Sequence, residues 1–369
     1  MDKVKIGIVG CGNISDAYFR GCTQLCAQYL DVVACSDIVL SRAQEKAEQW
    51  GVGKACSTEE LLADPEIELI VNLTIPKLHA EVSLQAITAG KHVYVEKPFA
   101  MSLDDADRIL AAAAARGVRL GCAPDTFLGA GIQTCRAIIS QGLIGTPTSA
   151  FAFMLCHGHE SWHPAPEFYY DIGGGPMLDM GPYYLTALVN LISPIRRVTG
   201  FTGKAFAERT ITSQPKHGTK MPVRTSTHVA GTLDFDSGAI GTVVMSFDVW
   251  RSSLPCIEIH GTEGSLSVPD PNNFGGAVRL YRSGESDWQE IDVDTFGFAE
   301  NARGIGVADM AKAIRAGRPH RASAELATHV LDVMTAFDRS SDTREVVEIT
   351  HRCESPAPLA SGLQPGEVD

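Results

Sequence analysis

The amino-acid sequence predicts a doubly wound parallel sheet over residues 1–123, followed over residues 124–350 by an open, largely antiparallel sheet with helices on one face. Three observations carry that expectation. Short apolar runs alternate with helix-length amphipathic segments from Val4 to Cys122. Beyond that point the rhythm changes to long alternating runs joined by glycine turns. And 369 residues exceed one ordinary domain, so two domains sharing a cleft is the simplest division.

In the first part, Val4 to Val9 is a continuous apolar strand and Asp31 to Ser36 a second, with room for a helix from Ser15 to Gln28. Ser57 opens a further helix with Glu60 three residues on, the spacing at which each side chain bonds the other's backbone N–H. Leu69 to Leu73 is the third strand. Lys77 to Ala89 is a helix stopped by Gly90, and His92 to Val95 is the fourth strand. Ser102 caps a helix that runs to Gly117, with Asp104 and Asp105 at the positive end of its dipole. Val118 to Cys122 completes the sheet.

In the second part, Gly131 to Gln141 reads as a helix and Ser149 to Leu155 alternates like a strand. Thr225 to Phe235 and Ala239 to Val249 flank Asp236-Ser237-Gly238, a hairpin signal, and Pro255 to His260 and Ser265 to Val268 flank a second. Ala302 to Ala316 and Glu325 to Phe337 return to helical periodicity and are expected where the domains meet. Residues 351–369 read as a loosely held tail, since Ser355 to Asp369 is rich in Pro, Gly and Ser.

A hydrophobic content of 44% with 20% charged residues is enough for a sizeable core. The formal net charge of −13, with no Lys/Arg stripe, repels phosphate backbones and argues against nucleic acid as a partner. No apolar run is long enough to cross a bilayer, and Met1-Asp2-Lys3 passes into a strand without a signal-peptide core. The ten cysteines have no CxxC pairing, which suits small core residues in a reducing compartment, so the cytoplasm is the expected address.

The first strand ends in Gly10-Cys11-Gly12-Asn13-Ile14-Ser15, directly before a helix. Gly10 permits the tight turn and Gly12 the close approach of a pyrophosphate, although Ser15 stands where the fingerprint has its third glycine. Asp37 follows at the tip of the second strand, 25 residues after Gly12. A carboxylate there accepts bonds from the adenosine ribose hydroxyls and repels a 2′-phosphate, which favours NAD over NADP. Strand, glycine turn, helix, strand and acid together mark a Rossmann domain.

Strand four runs into Glu96-Lys97-Pro98, placing a lysine at the carboxyl edge where such sheets bind ligands. Desolvation beside a positive nicotinamide is expected to lower its pKa, so that it takes or relays a hydroxyl proton. Pro98 fixes the backbone there and is a place for a cis bond.

The whole chain from Val4 to about Ile349 resembles the glucose–fructose oxidoreductase / inositol dehydrogenase / rhizopine catabolism (Gfo/Idh/MocA) family. The resemblance rests on GCGNIS at Gly10, Thr74-Ile75-Pro76 with His79, AGKHVYVEKPFA from Ala89 and GGGPMLDMGPYY from Gly173. It implies a Rossmann domain, an open sheet domain, and hydride exchange between a nicotinamide and a carbinol of a sugar, glycoside or cyclitol. It also implies Lys97 as the catalytic lysine, and Thr74, Pro76 and His79 along the cofactor cleft; Asn13, Ile14 and Glu96 are further cofactor-binding candidates.

The glycine run and Pro176 start a helix that places Asp179 and Tyr183 one turn apart on the same face. The resemblance implies an aspartate and a histidine there; this chain has Asp179 but Tyr183. A neighbouring cation is expected to favour the phenolate, so Tyr183 joins Lys97 and Asp179 as a catalytic candidate. The loop from Cys156 to Pro164 adds His159, Trp162 and His163 as substrate-binding candidates. Asp125 is a further cleft candidate, with a helix cap over Thr126 as its structural alternative. No HxxxH helix supports a metal.

Two other readings stay open on the same residues: an NAD-dependent glycosidase that oxidises, eliminates and re-reduces, and a cofactor-sensing protein without turnover. A sheet with helices on one face needs cover on the other, so a homodimer or homotetramer through the C-terminal sheet is expected.

Overall fold

The computed structural model describes residues 2–293 and 296–369. β1 (Val4–Val9), β2 (Leu30–Ser36), β3 (Lys54–Cys56), β4 (Leu69–Asn72), β5 (His92–Val95) and β6 (Leu120–Cys122) form one parallel sheet, ordered β3-β2-β1-β4-β5-β6. β4 is buried on both faces, which is why it reads as an unbroken apolar run. The order reverses between β1 and β4, the crevice where such sheets bind ligands.

α1 (Ser15–Arg20) passes into a π-helical turn, Gly21–Leu25, where the predicted continuous helix bends. The cause is a close approach: a Cβ on Gly21 would fall 1.7 Å from the Arg303 carbonyl oxygen. α2 (Leu40–Trp50) and β3 carry little sequence signal, because only Ala43 and Ala47 of α2 are buried. α3 (Thr58–Ala63) has the reciprocal Ser57–Glu60 cap, α4 (His79–Thr88) ends before Gly90 at φ 77°, and α5 (Leu103–Arg116) is capped by Ser102 and ended by Gly117.

The second domain is built on α6 (Ala130–Ser140), β7 (Pro147–Leu155), α7 (Pro176–Leu191) and β8 (Ile195–Gly203). A short ribbon of β9 (Glu208–Thr210) and β10 (Lys220–Pro222) precedes β11 (His228–Phe235), β12 (Ile240–Ser246), β13 (Ile257–Gly261), β14 (Gly264–Val268), β15 (Val278–Arg282) and β16 (Gln289–Ile291). α8 (Ile305–Ala316), α9 (Ala324–Thr343) and β17 (Val347–Glu348) follow. The nine-stranded sheet is ordered β16-β15-β14-β13-β7-β12-β11-β8-β17 and is antiparallel except where β12 meets β7. Both expected hairpins form, β11 with β12 and β13 with β14. α7 and α9 cover one face, and α8 and α9 pack against β6 of the first domain.

The expectation of a loose tail at residues 351–369 fails. Leu359 and Val368 are buried, and side-chain donors stand in for a ladder. Arg321 donates to the Ala357 and Pro358 carbonyls, Lys312 to Val368, and Gln28 to Gly366. Irregular backbone stays ordered when its carbonyls are satisfied in this way.

Candidate active site

The glycine turn at the end of β1 is shaped by sterics. Gly10 has φ 101°, and a Cβ there would lie 2.7 Å from the Leu73 carbonyl carbon and oxygen. At Gly12 a Cβ would meet nothing within 4 Å, and Gly12, Asn13 and Ile14 are exposed, so the turn opens onto free space. Asp37 lies just past β2, with Oδ2 accepting from Cys11 N at 2.8 Å and Oδ1 from Val39 N at 2.9 Å. Ile38, beside it, is 97% exposed, an apolar side chain at the open mouth of the turn. This cradle fits a dinucleotide, which Gly10, Gly12, Asn13, Ile14 and Asp37 would hold and which supplies a hydride carrier when bound.

The end of β4 turns through Thr74 and Pro76 at the same edge. Buried Asn72 directs that turn by accepting from Thr74 N and Oγ1 while donating to the His79 carbonyl. His79 was expected to line the cleft and does not. It is 1% exposed, with Nδ1 2.7 Å from the Pro98 carbonyl and Nε2 3.0 Å from the Thr74 carbonyl, so it braces two loops from behind. Glu96, also expected at the cofactor, is buried, accepting from Tyr18 Oη and from Lys97 N, both at 2.8 Å. Those bonds tie the cleft wall together.

Lys97 comes from the end of β5, with a cis bond to Pro98. Its Nζ donates to Asp179 Oδ1 at 2.9 Å and to the Asp179 carbonyl at 2.8 Å. Gly175, at φ 90°, and Pro176 start α7 so that Asp179 falls in its first turn, facing the lysine. The other carboxylate oxygen, Oδ2, lies 3.0 Å from His159 Nε2. Burial raises the Asp179 pKa, but Lys97 and then His159 outweigh it and hold the carboxyl down to about 2. The expected lowering of the Lys97 pKa is reversed. Burial does pull it down, but the Asp179 carboxylate beside it outweighs that and raises it above the ordinary lysine value, so the ammonium is the resting form.

Tyr183 sits one turn along α7 with its ring 5.2 Å from Lys97 Nζ. Its hydroxyl accepts from Arg303 at 3.0 Å. The expected phenolate is not favoured: burial raises the Tyr183 pKa more than Lys97 and Arg303 lower it. Asp125 is likewise not a cleft residue. It is fully buried, accepts from Gly304 N and Gly306 N, and pairs with Arg303, so it caps α8 rather than the turn at Thr126.

The loop after β7 brings His159 to Asp179, where rings meet it edge-on or tilted, Tyr169 at 4.1 Å, Phe247 from the end of β12 at 4.7 Å and Trp162 at 5.1 Å. Trp162 is 60% exposed, and the His163 ring lies edge-on to Trp162 and Tyr169 while its Nδ1 accepts from Ala165 N. Arg303 and Tyr169 have no local sequence signal, since each reaches the site only through long-range packing.

A parallel sheet whose glycine turn opens beside an acidic strand tip, with an ammonium and a carboxylate from two domains meeting at the same edge, defines a dinucleotide-dependent oxidoreductase. The chain belongs to the GFO/IDH/MocA family: residues 4–123 match its "Oxidoreductase family, NAD-binding Rossmann fold" and residues 132–267 its C-terminal domain. It is 31% identical over 265 residues to a 1,5-anhydro-D-fructose reductase of Ensifer adhaerens, covering 70% of this chain and 74% of that protein. It is 25% identical over 265 residues to a myo-inositol 2-dehydrogenase of Thermotoga maritima, covering 71% and 74%. A solved levoglucosan dehydrogenase with NADH superposes with a TM-score of 0.82 at 20% identity, over 95% of this chain and 100% of that one. Among the described residues, no helix is long and apolar enough to cross a membrane.

Proposed function

We propose that this oxidoreductase transfers a hydride between NAD, in preference to NADP, and a carbinol of a sugar, glycoside or cyclitol. The observation that carries the reading is the Lys97–Asp179 pair at 2.9 Å, beside the dinucleotide cradle. Carbinol oxidation and its reverse need a proton moved at the oxygen as the C–H bond breaks or forms, and Lys97 is the group placed to hold that proton. Asp179 keeps the ammonium oriented. Exposed Trp162, with His163 and Tyr169, offers a ring surface of the kind sugar C–H faces pack against. The names of the relatives, a reductase of an anhydro sugar and a cyclitol dehydrogenase, support the same substrate class.

The test is a panel of sugars, glycosides and cyclitols with NAD, and of the matching carbonyl compounds with NADH, following both absorbance and product. Stoichiometric NADH is expected. Aglycone release with catalytic NAD and no net NADH would show the glycosidase reaction instead, and binding of NAD without turnover on any substrate would leave a sensor.

A further inference from the structure

We propose that His159 is a positioning residue of the catalytic pair: it donates from Nε2 to Asp179 and fixes the carboxylate against Lys97, and a buried Glu160–Arg209–Asp248 cluster holds it there. The inference rests on the oxidoreductase reading above.

The Asp179 carboxylate is divided between two partners, Oδ1 with Lys97 at 2.9 Å and Oδ2 with His159 at 3.0 Å. His159 Nδ1 is buried and has no hydrogen-bond partner among the described residues. A proton on that nitrogen would be a stranded donor among the rings of Trp162, Tyr169 and Phe247. Nε2 is therefore the nitrogen that carries the N–H toward Asp179, which accepts it. His159 is a directional donor. No hydrogen bond joins Tyr183 to Asp179 among the described residues, and the Tyr183 hydroxyl accepts from Arg303.

The loop carrying His159 has no ladder of its own, yet its position is over-determined. His159 N donates to Tyr170 Oη, and that hydroxyl donates to the Glu160 carboxylate. Buried Arg209 donates to Glu160 Oε1 at 2.6 Å and to the carbonyls of His157 and Phe247 at 2.7 Å, and pairs with Asp248. Gly158, at φ 92°, lets Tyr170 in: a Cβ there would fall 1.9 Å from its hydroxyl. This is an expensive arrangement of buried charge, and it fixes the loop that carries His159.

A carboxylate with one free oxygen can swing or take up a proton; with both engaged it stays charged and keeps Lys97 aimed. The groups facing Asp179 are Lys97 from the end of β5, Cys156 at the end of β7, His159, His163 and Tyr169 from the β7–α7 connection, and Tyr183 on its own helix. Among these, Lys97 and His159 are the ones that bond to it.

The test compares His159→Phe, which keeps a ring without the donor, with His159→Leu and with His159→Gln, whose side-chain amide restores an N–H. On a substrate that the wild-type enzyme turns over, Phe and Leu are expected to lower kcat about 10- to 100-fold, with KM for NAD unchanged. They also move the acid limb of the kcat profile to higher pH. Gln recovers most of the rate and returns the limb. Titration of carboxyl-labelled aspartate by ¹³C NMR, with Asp179 assigned from Asp179→Asn, reads the same upward move without turnover. Arg209→Met reproduces the defect through the loop. A wild-type acid limb and Asp179 titration in both Phe and Leu variants overturn the proposal, as does a Gln variant no better than Phe. If no panel substrate is turned over, the functional reading fails while the NMR titration still judges this one.

Discussion

The Asp179 residue of the second domain holds the Lys97 ammonium of the first by two bonds, from its carboxylate at 2.9 Å and from its backbone oxygen at 2.8 Å. In the proposed reaction this pair would tie proton handling to domain contact, since its two members come from the two domains. It also sets a direction. Lys97 has a raised pKa, so the ammonium persists through neutral pH and is ready to donate to a carbonyl oxygen. Oxidation of a carbinol requires the amine form. Carbonyl reduction is therefore expected to vary little between about pH 6 and 9, and oxidation to rise across that range. Initial rates in both directions check this; pH-independent oxidation would contradict it. Lys97→Ala is expected to cost roughly 10²- to 10⁴-fold in turnover and to leave NAD affinity, measured by fluorescence titration, nearly intact.

Tyr183→Phe is expected to change turnover less than about tenfold, well below the loss from a general acid or base. The ring under Lys97 is kept, and the lost hydroxyl is bonded to Arg303. The larger effect falls on stability, about 1–3 kcal/mol, because a buried guanidinium loses a partner. Denaturant melts alongside kcat separate the two, and a hundredfold loss of kcat at unchanged stability would make Tyr183 a proton carrier after all.

These placements show what the sequence carried and what it did not. The positions of Gly10, Gly12, Asp37, Lys97 and Asp179 at one sheet edge were legible because each belongs to a short run with fixed spacing, strand to turn or turn to helix, which local sterics dictate. The direction of Tyr183 was not, since it depends on Arg303, 120 residues away. His79 and Asp125 misled for the same reason: a polar residue at a sheet edge reads as cleft-facing until the backbone groups it satisfies are known. The tail misled because its carbonyls bond to arginine and lysine side chains far along the chain.

Asp37→Ala is expected to weaken NAD by about 10- to 100-fold, the worth of hydrogen bonds to a charged group. Part of the loss is indirect, because Asp37 Oδ2 also anchors the Cys11 amide of the glycine turn. The same change relieves repulsion of a 2′-phosphate, so NADP should weaken less than NAD. Calorimetric titration of both dinucleotides checks this, and tighter wild-type binding of NADP than NAD would sink the proposed preference.

The uncovered face of the nine-stranded sheet carries Phe201 at 71% exposure, Ile240 at 60% and Phe151 at 37%, all on one side by their pairing register. We expect this face to be covered by a second copy of the chain, giving a dimer or a dimer of dimers. Light scattering at micromolar concentration should report it, and Phe201→Glu should shift the mass downward. A wild-type monomer would count against it.

The domains are also joined away from the site, through His351. Its Nδ1 lies 3.0 Å from Asp332 on α9 and its Nε2 3.1 Å from Asp107 on α5 of the first domain. Burial lowers its pKa, but the bonds to Asp332 and Asp107 outweigh that and raise it above the ordinary histidine value. A raised folded-state pKa means that the stabilisation is fully present below the unfolded value, about 6.5, and is lost as pH rises through the folded value. His351→Gln should therefore destabilise the chain most near pH 6, by on the order of 1 kcal/mol given the partial exposure of the pair. The gap between wild type and variant should close toward pH 9. Asp107→Asn should show a smaller gap of the same sign, since Asp332 also accepts from Thr350 and Arg339 and keeps its place. Urea melts at pH 6, 7.5 and 9 read all three, and a gap that widens with pH would reverse the assignment.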